Sequence, residues 1–143
     1  MKGPAAPPWN PLTSSWATVF LLPLAGALVA GVNLLRMGRP DKALFAVATG
    51  LASTLLVLAL WLQGRVWLDR LLWTLFITAA GDTGLFLYLQ LAEYQAWRRR
   101  HPGAEPAGGW GAAIWALIGF MLTLLIWGGA ILGLVLLRPS RAA

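Results

Sequence analysis

The chain has no cysteine, one histidine and few charged residues. The absence of cysteine excludes disulfides, thiolate metal sites and cysteine nucleophiles. The histidine, His101, lies in a polar segment, so no apolar run contains the usual axial ligand of haem or chlorophyll. No nucleophile–base set or phosphate-binding loop is recognisable either. We therefore expect no metal, no cofactor and no enzymatic activity.

Charged residues make up 11% of the 143 residues, against roughly 25% in a soluble domain, and apolar residues make up 59%. Four nearly uncharged runs each supply the roughly 20 residues that a helix needs to cross the hydrocarbon core. The sequence thus predicts an all-α integral membrane protein with four transmembrane helices and short loops. The predicted spans are about 14–36, 42–63, 67–93 and 110–137, between a proline-rich tail (1–13) and a C-terminal tail (138–143).

The net charge of +6 comes mainly from Lys and Arg at the ends of these runs. There they can reach lipid headgroups, so the charge indicates a membrane surface and not a nucleic acid. The expected partners are the lipid bilayer and either other membrane subunits or further copies of this chain. With four spans, the positive-inside rule places the basic turn after the first span in the cytoplasm and both termini outside.

Asp82 is the one charged residue near the middle of a predicted span. A carboxylate at that depth is costly and by default marks a functional site. Thr78 lies one turn earlier, and Glu93 lies eleven residues later on nearly the same face. A buried carboxyl aligned with one at the membrane mouth is an arrangement that proton pathways use, which makes ion coupling one hypothesis for this face.

A structural role for Asp82 is the interpretation that we favour. Gly81 and Gly84 flank it and allow a second helix to approach closely. The carboxyl can then hydrogen-bond a polar side chain of the second span or contact a neighbouring subunit. The second span offers three hydroxyl groups, those of Thr49, Ser53 and Thr54.

Small residues spaced four apart predict close helix packing in three of the four spans. Gly129 and Gly133 form such a pair in the fourth span, where Trp127 is a tryptophan well inside the apolar run. Its indole N–H requires an acceptor on another helix or subunit. The further pairs are Ala27 with Gly31, Ala46 with Gly50, and Ala112 with Ala116.

Polar residues concentrate where the first and third spans end, which predicts contact with lipid headgroups or a partner at that surface. An ordinary positive-inside turn is the simpler explanation. The residues are Asn33, Arg36, Arg39 and Lys42, followed in the chain by Arg98, Arg99 and Arg100.

Residues 23–43 contain Pro23-Leu24-Ala25-Gly26 and the pattern Asn33-x-x-Arg36-x-Gly38-Arg39-x-x-Lys42-Ala43. This segment resembles the first helix and turn of small multi-span bacterial membrane proteins. The resemblance implies a multi-pass protein of the bacterial inner membrane and brings no activity. Small multidrug transporters and fluoride channels are similar in having four helices. The first-helix glutamate of the former, and the glycine-rich motif and phenylalanine pattern of the latter, have no counterpart here.

Two functions follow as hypotheses. The first is a non-catalytic accessory subunit of a larger bacterial membrane complex, with a respiratory or photosynthetic complex as a suitable host. The second is a small homo-oligomeric transporter or channel in which Asp82 couples to protons or cations.

Overall fold

The computed structural model describes residues 6–63 and 68–137, which form five α-helices. In chain order these are α1 (Pro11–Leu21), α2 (Pro23–Arg36), α3 (Pro40–Leu62), α4 (Leu68–Arg100) and α5 (Trp110–Leu137). Within these ranges the sole β-type pairing is an isolated parallel bridge between Trp9 and Ala107. The chain is therefore helical, as the sequence predicts.

The predicted first span, about 14–36, is two helices and not one. Leu22 separates them with φ 77° and ψ 160°, a backbone conformation that residues other than glycine rarely adopt. The cause is Pro23, which has no N–H to donate and disfavours a helical conformation in the residue before it. Helix α1 also begins earlier than predicted, at Pro11, because the Asn10 side chain accepts a hydrogen bond from Leu12 N and caps the helix.

Helices α1 and α2 fold back on each other as an antiparallel hairpin. Near the turn, a Cβ on Gly26 would collide with Thr18, so the two backbones nearly touch. At the open end, Trp9 N donates to Asn33 Oδ1 at 2.7 Å. The two helices contain 11 and 14 residues, or about 16 and 21 Å, so neither spans a hydrocarbon core of about 30 Å.

The apex of this hairpin lies about halfway along the bundle. A Cβ on Gly50 of α3 would lie 3.0 Å from Pro23 O, and one on Gly119 of α5 would lie 2.5 Å from Ala25 Cα. Both glycines are about 15 Å from the start of their own helices. Helix α2 is the centre of the fold, since it packs against all four other helices.

Three helices, α3, α4 and α5, are long and apolar enough to cross a membrane. They contain 23, 33 and 28 residues, or about 34, 50 and 42 Å. Their bounds agree with the predicted second, third and fourth spans, and the third continues to Arg100. The prediction of long apolar helices is thus confirmed for three of the four spans, and in place of the fourth the described residues contain a hairpin that ends about halfway along the bundle.

The two ends of the bundle differ in charge. The end where α2 and α4 finish and α3 and α5 begin carries Arg36, Arg39, Lys42 and Arg98–Arg100, and we call it the basic end. Trp9 lies there too, against Ala107 and Gly111. Leu137 lies at the opposite end of α5. The predicted placement of both termini on one side assumed four crossings, whereas Trp9 and Leu137 are at opposite ends.

Candidate functional site

A buried amide cluster closes the hairpin at the basic end. Asn33 Nδ2 donates to Trp9 O at 3.1 Å and to Gln90 Oε1 at 2.7 Å, while Asn33 Oδ1 accepts from Trp9 N. Gln90 in turn donates to Phe86 O at 3.0 Å. Asn33, Gln90 and Trp9 are almost fully buried. The predicted surface residue Asn33 is therefore an internal connection between the N-terminal segment, α2 and α4.

Arg36 strengthens the same closure from outside. Its Nη1 donates to Pro7 O at 3.1 Å, and its guanidinium lies 4.0 Å from the centre of the Trp9 ring. Ala107 N also donates to Pro8 O at 3.0 Å, so the loop before α5 is attached to this segment. Residues 7–9 are thereby held against α2, α4 and α5.

The predicted membrane-mouth carboxylate, Glu93, is paired. Its Oε1 lies 2.6 Å from Lys42 Nζ and 3.3 Å from Arg39 Nη1. Arg39 Nε also lies 3.4 Å from Asp41 Oδ1. This ion cluster joins the α2–α3 turn to α4. Arg39 and Lys42 thus form ion pairs with carboxylates of the same chain.

Asp82 is buried, and its Oδ1 accepts a hydrogen bond of 3.2 Å from Ser53 Oγ on α3. Of the three hydroxyl groups predicted as partners, that of Ser53 thus forms the hydrogen bond with the Asp82 carboxyl. Thr49 and Thr54 instead donate to backbone carbonyls of their own helix, as does Thr78. The second carboxyl oxygen, Oδ2, is buried and has no partner among the described residues.

Asp82 lies at the level of the hairpin apex. Its neighbour Thr83 lines an apolar cleft with Ser15, Trp16 and Val19 of α1. Its partner Ser53 lies one turn beyond Gly50, which packs on Pro23. Glu93 is eleven residues away, or about 16 Å along α4, so the two predicted carboxylates do not share a site.

Helix α5 is buried only along one stripe in its first half. That stripe repeats at helical spacing and packs on the hairpin; its residues are Ala112, Ala116, Gly119 and Thr123. The same spacing continues through Ile126, Trp127, Ala130 and Gly133, which we call the distal stripe. These four residues are only half-buried, and the remaining described residues of this half are exposed. The stripe loses its cover because the hairpin ends at mid-depth.

Trp127 stacks on Trp61 of α3, with ring centroids 6.1 Å apart and planes at 15°. Its Nε1 is nevertheless buried with no acceptor in the described ranges. Next to this pair, a cleft of about 240 Å³ separates the ends of α3 and α5; it is lined by Trp61, Leu62, Ile131, Leu134 and Val135. The half of the bundle beyond the apex is therefore loosely filled.

The predicted packing glycines divide into two groups. Gly31 and Gly50 contact neighbouring helices inside the chain, whereas Gly81, Gly84, Gly129 and Gly133 have open space where a Cβ would lie. The latter four thus make no close helix contact within the described residues. Arg98, Arg99 and Arg100 are exposed at the end of α4.

In the described ranges, no group of three His, Asp or Glu side chains could hold a metal ion. Comparison with known proteins gives no relative: no protein-family model, no curated protein and no solved structure matches the chain. The candidate sites are consequently Asp82 with Ser53, the distal stripe with Trp127, and the basic end.

Three features of these sites are absent from the sequence prediction. The Trp9–Asn33–Gln90 cluster, the break at Leu22 and the contact of Gly119 with α2 all depend on the hairpin. Pro23 was the residue in the sequence that indicated the break, but a proline there also predicts a kink inside one continuous helix. Gln90 carried a signal as well, because an uncharged polar side chain inside a span needs a partner.

Proposed function

We propose that this chain is a non-catalytic subunit of a larger bacterial membrane protein complex, and that the distal stripe of α5 binds a membrane helix of another polypeptide. The observation that carries the proposal is the continuation of one contact stripe past its cover. From Ala112 to Thr123 the stripe packs on α2, whereas from Ile126 to Gly133 the hairpin no longer covers the same face, and Trp127 there stacks on Trp61 of α3.

The chemistry of the distal stripe favours a protein helix over lipid. Gly133, bordered by Gly129, leaves room for a backbone to approach. Small residues spaced four apart form a pattern by which membrane helices associate.

The use of the polar groups in this fold favours a non-catalytic role over a catalytic one. Its buried polar groups at the basic end are used to close the hairpin, and its ion cluster is used to join α2, α3 and α4. Apolar side chains cover most of the exposed surface of α5, so the chain has extensive surface for lipid and for partner helices.

The basic end is the cytoplasmic end in this proposal, because positively charged residues near span ends remain inside. With three crossings, residues 7–9 are then cytoplasmic and α5 ends on the other side. This revises the sidedness that four crossings would give.

The test is to purify the full chain from its native membrane in mild detergent and to determine the composition and mass of what accompanies it. We expect a stable heteromeric assembly. Replacing Gly133 with leucine should release the partner, whereas Ala113→Leu, on an exposed position in the first half of α5, should not. A lone chain or a homo-oligomer would refute the subunit proposal.

A second candidate, ion-coupled transport through a small homo-oligomer, is favoured by one observation, namely the buried and unpartnered Oδ2 of Asp82 at the hairpin apex. Backbone that turns inside a membrane is tolerated where it is buried in protein or lines a cavity, and transporters place ion sites at such breaks. A proton or cation could exchange at this oxygen.

Proteoliposomes containing the purified chain would decide between the two. If wild-type protein supports proton or sodium flux that Asp82→Asn abolishes, while Asp82→Asn folds and assembles normally, the transport function is supported. If wild-type vesicles show no flux above empty vesicles and Asp82→Asn impairs assembly, the carboxyl is structural.

A further inference from the structure

A cleft of about 440 Å³ opens at the basic end, between the end of α2 and the end of α4. Its lining includes the guanidinium groups of Arg36 and Arg100 and the imidazole of His101. Three apolar side chains, Leu35, Met37 and Trp97, line the same cleft. The cleft thus offers both basic and hydrophobic side chains to a ligand.

The basic side chains of the cleft are held in place by the protein. Arg36 is fixed by its bond to Pro7 O and by the Trp9 ring, and Arg100 Nε donates to Ala96 O at 3.2 Å. Each of these bonds uses one of the five N–H groups of a guanidinium. His101 stacks on Trp97 with ring centroids 5.1 Å apart, which fixes the imidazole at the rim.

The positive charge of the cleft is not neutralised locally. In the part of the chain that the structure describes, the ion pairs join Arg39 and Lys42 to Glu93 and Asp41. Neither Arg36, Arg100 nor His101 pairs with a carboxylate there. The cleft therefore differs from the neighbouring ion cluster, whose charges are balanced.

The cleft also lies at the membrane surface, because α2 ends at Arg36 and the spanning helix α3 begins at Pro40. Leu35, which lines the cleft, is 56% exposed. A ligand that satisfies both kinds of side chain has an anionic group at the headgroup level and an apolar chain below it. A free phosphate or small soluble anion would use the arginines and leave Leu35 uncovered.

We propose that this cleft binds one anionic phospholipid of the leaflet at the basic end, with the phosphate between Arg36 and Arg100 and an acyl chain along Leu35 and Met37. The proposal does not depend on the subunit function, since a lipid can occupy this cleft in an isolated chain. It assigns phosphate binding to Arg100. The neighbouring Arg98 and Arg99 do not line the cleft and have no such role in the proposal.

The experiment is a titration of the full chain in neutral detergent, followed by native mass spectrometry, with palmitoyl-oleoyl phosphatidylglycerol as ligand and the matching phosphatidylcholine as reference. Arg100→Gln should weaken phosphatidylglycerol binding about fivefold, the weight of one cation near an anionic surface. Arg99→Gln removes the same charge from the adjacent residue and should change binding less than about twofold. Both residues are exposed, so folding is not at risk.

A second arm adds glycerol phosphate at millimolar concentration to the loaded protein. If the cleft recognises a lipid, this headgroup fragment will not displace phosphatidylglycerol. Three results would overturn the proposal: equal losses in Arg100→Gln and Arg99→Gln, which indicate diffuse attraction; equal binding of the two lipids; or displacement by glycerol phosphate, which indicates a site for soluble anions.

Discussion

Asn33 and Trp9 form two hydrogen bonds with each other, since Trp9 N donates to Asn33 Oδ1 at 2.7 Å and Asn33 Nδ2 donates to Trp9 O at 3.1 Å. One side chain thereby satisfies both backbone groups of a residue 24 positions earlier. Because the pair is buried beside Gln90, it sets where the hairpin closes and how deep its apex reaches.

Asn33→Leu should destabilise the protein by about 3 kcal/mol, because the backbone N–H and C=O of Trp9 lose the amide that satisfies both of them while buried. Denaturant unfolding in detergent, followed by tryptophan fluorescence, measures this. Gln95→Leu, an exposed amide on α4, is the control and should cost less than about 0.5 kcal/mol. Equal effects of the two substitutions would mean that the cluster does not close the hairpin.

Leu22→Gly should stabilise the protein by about 1 kcal/mol. Leu22 has φ 77° and ψ 160°, a region that is essentially restricted to glycine and strains other residues by about 1–3 kcal/mol. The greater entropy of glycine in the unfolded chain offsets part of that gain. Leu28→Gly, inside α2, is the matched control and should destabilise. A loss of stability in Leu22→Gly as large as that in Leu28→Gly would argue for a continuous helix at this point.

Gly119→Leu should reduce the free energy of unfolding by about 3 kcal/mol or more, because the new side chain meets backbone atoms of α2 and cannot be accommodated without moving α5. Gly128→Leu, further along α5 where a Cβ meets open space, should be nearly neutral for the isolated chain. Unfolding of both variants in the same detergent gives the comparison. Comparable stability of the two would show that α5 does not rest on the hairpin.

Glu93→Gln should cost about 1 kcal/mol at low ionic strength, because Lys42 and Arg39 lose their shared carboxylate. The cost should decrease in high salt, which screens partly exposed pairs. Stability measured at two salt concentrations checks this, with Glu105→Gln as an exposed carboxylate control. A salt-independent cost would point to packing and not to charge.

The sequence is sufficient to predict the three long apolar helices α3, α4 and α5 because each is set by a local property, a long apolar run between polar ends. The bounds of α5, Trp110–Leu137, follow directly from that property. The polar partner of Asp82 was also predictable, since the second span offers few hydroxyl groups and Ser53 is one of them.

The hairpin could not be predicted in the same way. An apolar run of about 23 residues has the same composition whether it crosses the membrane once or enters and returns, and Pro23 is compatible with both a kink and a turn. The turn is selected by contacts between residues that are distant in the sequence. Asn33 must meet Trp9 and Gln90, and Gly26 must admit Thr18, and neither contact is visible in hydropathy.

The consequence for the candidate site is equally non-local. Gly129, Gly133 and Trp127 are recognisable from the sequence as packing residues. Only the mid-depth end of the hairpin, however, explains why the stripe is covered up to Thr123 and uncovered beyond it.

The most direct test of the subunit proposal is photocrosslinking in the native membrane, with a photoreactive residue at position 133 and, for comparison, at position 113 of the full chain. We predict a crosslinked adduct with a different polypeptide from position 133 and none from position 113. Crosslinks from position 133 to lipid alone, or to a second copy of this chain, would contradict it.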